Sequence, residues 1–124
     1  IRDDRCMGCA ELTVAESGGS LIVSHDIASA YAGADVVYAK SWGALPYFGN
    51  WAPEQPIRDQ YKHFIVDEAK MALTNNGVFS HCLPLRRNVK ATDAVMDSPN
   101  GMAIDEEENR LHVQKAIMAA LAPQ

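Results

Sequence analysis

Glycine-rich phosphate loops are missing from this chain. It holds neither G-x-G-x-x-G nor G-x-x-x-x-G-K-[ST], so the dinucleotide and P-loop fingerprints are absent. Basic clusters are missing as well. The formal net charge is -5, and Arg86-Arg87 is the one adjacent pair of cations, which argues against a nucleic-acid or anionic-membrane partner. No apolar run exceeds a few residues, so nothing is expected to span a bilayer. Cysteine is scarce: three, an odd count without framework spacing, fits a reducing cytoplasm. No basic-apolar-small leader opens the chain, so secretion is not expected. Met is missing from the first position. The chain starts at Ile1 and is expected to begin inside or just before a helix, as a fragment of something longer. What remains, 124 residues at 48% hydrophobic, is enough for one domain with a modest core.

Helical and strand patterns alternate along it. Residues 4–16 read as a helix stopped by Gly18-Gly19. Leu21-Ile22-Val23-Ser24 reads as a short strand. Asp26 caps a helix over 27–32 that ends at Gly33. Asp35 to Ala39 is a β-branched run. Residues 43–56, with three prolines and two glycines, read as a long loop. A helix is expected over 58–73, broken near Val66-Asp67. Asn75-Asn76-Gly77 is a turn before a strand at 77–80 and a loop at 81–91. One helical turn is expected at 93–97 and a last short strand at Met102-Ala103-Ile104. A capping box of Asp105 and Glu108 should open a helix over 106–121. Such alternation implies an α/β fold, a parallel sheet flanked by helices. Its short, continuously apolar strands are those of a sheet buried on both sides.

The loop His81-Cys82-Leu83-Pro84-Leu85-Arg86-Arg87-Asn88-Val89-Lys90 is crowded with chemistry that a structural turn does not need. In a parallel sheet it shares the carboxyl edge with the other strand end, Tyr38-Ala39-Lys40-Ser41-Trp42-Gly43-Ala44-Leu45, and ligands bind at such edges. Lys40 and Arg86 there would bind a carboxylate or phosphate. The competing reading is a pair of surface ion pairs of little worth. His81 and Cys82 could be base and nucleophile. Neighbours on a strand point to opposite faces, though, so a small residue at a strand end is the better reading of Cys82 by adjacency alone. Its thiol or carbonyl could still meet a substrate amine. Cys6-Met7-Gly8-Cys9 lacks the second pair that a zinc site needs and reads as chance spacing. Asp105 to Glu108 read as acids favoured at a helix start. His25 reads as structural; His63 and His112 read as solvated helix residues.

The tetrapeptide His81-Cys82-Leu83-Pro84 resembles the HCLP signature of ornithine carbamoyltransferases, and Gly33-Ala34-Asp35-Val36-Val37-Tyr38, with His25-Asp26 upstream, resembles a second segment of the same enzymes. The likeness covers nearly the whole chain. It implies that residues 1–124 are part of the family's C-terminal, Rossmann-like, amino-acid-binding domain. Where ornithine enzymes carry an Asp that meets the substrate's free α-ammonium, this chain has Lys40. Two cations would repel there, whereas an acylated nitrogen carries no charge. The continuation Leu85-Arg86-Arg87-Asn88-Val89-Lys90 also departs from the ornithine type. Both changes resemble the N-acetylornithine carbamoyltransferase branch.

That resemblance implies carbamoyl transfer from carbamoyl phosphate to the side-chain amine of N2-acetyl-L-ornithine, a step of arginine biosynthesis, in a cytoplasmic homotrimer without cofactor or metal. By position, His81 would polarise the carbamoyl carbonyl, and Cys82 and Leu83 would contact the attacking amine. Arg86 would bind near the leaving group or carboxylate, and Lys40 would hold the acylated amino acid. Lys90 would be N-carboxylated, which demands a lowered pKa. The S-x-R-T-type carbamoyl phosphate loop of the family is absent from this sequence, so the chain alone is expected to be inactive. A non-catalytic remnant, a small-ligand-binding module, and a drifted ornithine or succinylornithine enzyme are the competing readings.

Overall fold

The computed structural model describes residues 4–40, 45–47 and 49–122, with the side chains of all of these except 4–6 and 45. Ser41 to Ala44, part of one predicted strand-end loop, and the Cys6 side chain of the C-x-x-C lie outside the described set.

The order is α1 (Asp4–Ser17), α2 (Ile27–Tyr31), β1 (Val36–Tyr38), a 3-10 turn (Leu45–Tyr47), α3 (Trp51–Gln60), a second 3-10 turn (Lys62–Phe64), α4 (Glu68–Met71), β2 (Val78–Ser80), α5 (Asp93–Met96) and α6 (Ala103–Leu121). The strands pair in parallel, with Val36 against Val78, Val37 against Phe79 and Tyr38 against Ser80. This is the expected α/β arrangement. Local chemistry sets several boundaries as the sequence implies. Asp26 accepts from the N–H groups of Ala28 and Ser29 at the start of α2. Gly18 and Gly33 both lie at φ +71, the left-handed conformation that closes a helix. Asp67 caps α4 and Thr92 caps α5.

Five expectations need correction. Leu21 to Ser24 is not a strand: it is exposed coil, with Ile22 84% accessible. A strand is held by ladder hydrogen bonds, and no described residue pairs with this one. The predicted loop at 43–56 gives way to α3 at Trp51. Pro53 occupies the helix's first turn, where N–H groups have no intrahelical partner, so it costs no bond; Pro56 gives up only one. The helix expected over 58–73 is broken more widely, by a 3-10 turn and the extended residues around Val66, before Asp67 caps a new one. The last strand at 102–104 is absent. Gly101 alone bridges Phe79, with Phe79 N–H donating to the Asn100 carbonyl (2.8 Å) and Met102 N–H to the Phe79 carbonyl (2.8 Å). The chain turns helical at Ala103, so Asp105 falls inside the first turn and forms no cap with Glu108.

The core is small. Val66, Phe79, Ala91 and Val95 are buried together, with Tyr31, Val37, Met71, Leu85 and Met96 packed around them. Val66 also bridges Ala91: its N–H donates to the Lys90 carbonyl (2.9 Å), and Thr92 N–H donates to the Val66 carbonyl (2.9 Å). These two bonds fix the far end of the 81–91 loop beside the sheet.

Candidate functional site

Because β1 and β2 run parallel and in register, their carboxyl ends emerge side by side. Ala39 N–H extends the ladder to the Ser80 carbonyl (3.0 Å). One residue further, the two chains meet through side chains: Lys40 Nζ donates to Cys82 Sγ at 2.9 Å. The two strand ends therefore line one place, as the parallel topology implies. That hydrogen bond is the main cause holding the Lys40 ammonium above its ordinary pKa, so it is a cation at neutral pH. Among the described residues neither Lys40 nor Arg86 forms an ion pair with a carboxylate, which leaves the surface-ion-pair reading without support.

His81 and Cys82 do face opposite ways. Cys82 is half-buried toward Lys40, whereas His81 is fully buried. Its Nδ1 contacts the Cys82 carbonyl oxygen, which requires Nδ1–H to donate. The other nitrogen, Nε2, is buried and has no hydrogen-bond partner among the described residues. A buried polar atom left unpaired costs about 1–3 kcal/mol. It marks a place where a ligand atom is wanted.

Leu83 and Arg86, in the same loop, have different neighbours. Leu83, half-buried before a cis Leu83-Pro84 bond, lines a cavity of about 420 Å³ with Ile104, Arg110 and Leu111 of α6. Arg86 is exposed, with its guanidinium 5.3 Å from the Trp51 ring centroid; Arg58 lies 4.8 Å from the same ring. Such stacking suits arginine's flat, weakly hydrated cation.

Lys90 is buried, 4% exposed. Its pKa is lowered to about 8, first by burial and then by the charges of Arg58 and Arg86, with Glu54 opposing. Glu54 is buried too and pairs with Arg58 Nε at 3.0 Å. Lys90 thus lies within electrostatic reach of two arginines and one carboxylate. The outer face of the loop is pinned by Arg87, which reaches Asp93 (2.9 Å) and Asp97 (2.6 Å).

Several of these neighbours were not foreseen. The sequence puts Glu54 in a loop and Arg58 in a separate helix, which hides their pairing; the Glu-x-x-x-Arg spacing is the available signal. Glu106 reads from sequence as one of the acids favoured at a helix start, and nothing in the sequence singles out Arg110. Glu106 instead accepts hydrogen bonds from Tyr38 and Ser80. A larger cavity of about 720 Å³ is lined by Lys40, Arg58, Tyr38, Tyr47 and Tyr61, and by His25, which the sequence assigned a structural role. His63 is exposed, as expected, but sits in a 3-10 turn and stacks on Phe64 at 4.4 Å. Among the described residues no group of three His, Cys, Asp or Glu side chains could hold a metal ion, and no helix is long and apolar enough to cross a membrane.

Parallel strands that deliver a lysine, a buried histidine and a cysteine to one edge match a known class of transferase domain. Residues 2–121 match the family model described as aspartate/ornithine carbamoyltransferase, Asp/Orn binding domain, and the chain belongs to that family. Over its full length it is 84% identical to the N-acetylornithine carbamoyltransferase of Xanthomonas campestris pv. campestris and 73% identical to that of Xylella fastidiosa. It spans 37% of the length of each. It also superposes on a crystal structure of acetylornithine transcarbamylase complexed with acetylcitrulline, with a TM-score of 0.89 and 84% identity, covering all of this chain and 37% of that one.

Proposed function

We propose that this chain is the amino-acid-binding part of a carbamoyltransferase acting on N2-acetyl-L-ornithine. Carbamoyl phosphate would supply the carbamoyl group and N2-acetyl-L-citrulline and phosphate would be the products. The carrying observation is Lys40, whose ammonium lies 2.9 Å from Cys82 at the carboxyl edge of the sheet. A fixed cation there disfavours the free α-ammonium of ornithine and tolerates an acylated nitrogen. The 84% identity to N-acetylornithine carbamoyltransferase supports the same choice.

In this reading the side-chain amine attacks the carbamoyl carbon. A C–N bond forms, the C–O bond to phosphate breaks, and the amine loses a proton. Catalysis is positioning plus charge stabilisation. His81 polarises the carbamoyl carbonyl from Nε2, the ring nitrogen with no partner among the described residues. Cys82 and Leu83 receive the amine. Arg86 and Arg110 bring cations to either side, Arg110 across the cavity it shares with Leu83. Lys90, its pKa lowered to about 8, reacts as the neutral amine with CO2 to give a carbamate and a proton, placing an anion beside Arg58 and Arg86. The whole-length protein is taken as a cytoplasmic homotrimer serving arginine biosynthesis, on the strength of family likeness.

The test is a carbamoyl transfer assay on the whole-length protein with acetylornithine, succinylornithine and ornithine. A solved relative, 84% identical, holds carbamyl phosphate and N-succinyl-L-norvaline as a variant, which makes the succinyl arm necessary. Acetylornithine turnover is expected, and Lys40→Ala should lower the preference for acetylornithine over ornithine on the order of tenfold or more. Preference for free ornithine in the unmodified protein would sink the reading. The 124-residue chain alone should show no turnover.

A further inference from the structure

We propose that Glu106 is a positioning residue: by clamping the paired ends of β1 and β2 it sets Lys40 against Cys82. Its Oε1 accepts from the Tyr38 hydroxyl at 3.2 Å, and its Oε2 accepts from the Ser80 hydroxyl. Tyr38 and Ser80 are the last residues of the two strands and are partners in register. One carboxylate therefore ties both strands to the first turn of α6 at the point where they end.

Side chains alternate along a strand, so Lys40 and Cys82, each two residues on, continue the face that carries Tyr38 and Ser80. The hydrogen bond between Lys40 and Cys82 is the next rung of that row. Just past the strands the Ala39 N–H joins the ladder, so the clamp sits two residues from the Lys40–Cys82 contact. Glu106 also adds a negative charge that favours the Lys40 ammonium, in the same direction as Tyr38 and Cys82. The helix geometry supports the placement. Met102 N–H is held by Phe79, so α6 starts at a fixed distance from β2 and its fourth residue falls over the strand ends. Lys40 and Cys82 are thus aligned from a third element, through Tyr38 and Ser80.

The inference rests on the carbamoyltransferase reading of the site. It is tested in the whole-length enzyme with Glu106→Ala, Glu106→Gln and Tyr38→Phe, measuring steady-state constants for both substrates. In Glu106→Ala the KM for the acylated amine should rise about tenfold, with little change in the KM for carbamoyl phosphate. Glu106→Gln, which keeps an acceptor and the side-chain length, should recover a part of that loss. Tyr38→Phe should raise the same KM by a smaller factor and add little on top of Glu106→Ala, because both remove one tie. Unchanged amine KM in folded Glu106→Gln and Tyr38→Phe proteins overturns the proposal, as does an equal rise for both substrates. Should Glu106→Ala fail to fold, these two variants still decide. Absence of acylated-amine turnover in the unmodified enzyme would instead remove the functional reading on which the role depends.

Discussion

The stretch from Val66 to Ala103 and the two ends of the chain spend similar residues in opposite ways. Between Val66 and Ala103, Phe79 and His81 are completely buried, Lys90 nearly so, and Val66, Ala91, Val95 and Ala103 close around them. In α6, Leu111, Val113, Ile117, Met118 and Leu121 are all exposed, the last at 79%, and Leu12 of α1 and Leu21 to Val23 are exposed as well. Surface of that kind, carried on regular helices, marks an interface rather than a solvent face. With the chain spanning 37% of its relatives, the cover for these faces is expected from the rest of a longer protein. The lesson is that the central stretch packs inward, whereas α1 and most of α6 keep their apolar side chains outside.

The largest effect that separates the two regions is in packing. Phe79→Ala in the whole-length protein should cost about 3–5 kcal/mol by denaturant unfolding. Met118→Ala should cost within about 0.5 kcal/mol in the 124-residue chain, and clearly more in the whole-length protein. Equal cost for Met118→Ala in both settings would show that α6 stays bare. Next, His81→Ala should lower kcat by about 10²–10³, the effect of removing one donor from a developing oxyanion. A change confined to KM would reassign His81 to binding.

Lys90 gives a pH test. Burial favours its neutral form, so its pKa lies near 8 in the fold against an ordinary 10.5. Between these values the unfolded chain binds more protons, so this group adds stability as pH rises from 8 to 10.5 and imposes a constant cost below 8. At pH 7 about one amine in ten is neutral, and half are at pH 8. Carbamate formation, followed by carbon-13 NMR with labelled bicarbonate in the whole-length protein, should therefore climb between pH 7 and 9. A flat response would remove the modified-lysine role. Smallest of all, Arg87→Ala should cost within about 1 kcal/mol of stability, since its two ion pairs are exposed.

Legibility followed the range of the interaction. Asp26, Gly18 and Gly33 were readable because a cap or a left-handed residue acts within a few residues of itself. β1 and β2 were readable because their apolar runs are short, continuous and bounded by turn residues. Leu21 to Ser24 carries the same pattern and is not a strand, since a strand requires a neighbour as well as a pattern. α3 was misread because two prolines outweighed the fact that a helix's first turn has no N–H bonds to lose. In the site, His81, Cys82 and Lys40 stood out as chemistry at strand ends. Glu54, Arg58 and Glu106 did not, for a charged residue on a helix looks alike whether it meets water or a strand end.

The sequence by itself determined the parallel α/β class and the two strand ends that carry Lys40 and His81-Cys82. Both depend on residue type and short spacing. Only the tertiary structure decided that Lys40 touches Cys82, that His81 keeps one nitrogen unpaired, that Lys90 is buried among arginines, and that Glu106 reaches across to both strands. Each of these depends on which distant groups share a dry, crowded space, where desolvation and a few ångströms decide charge and contact.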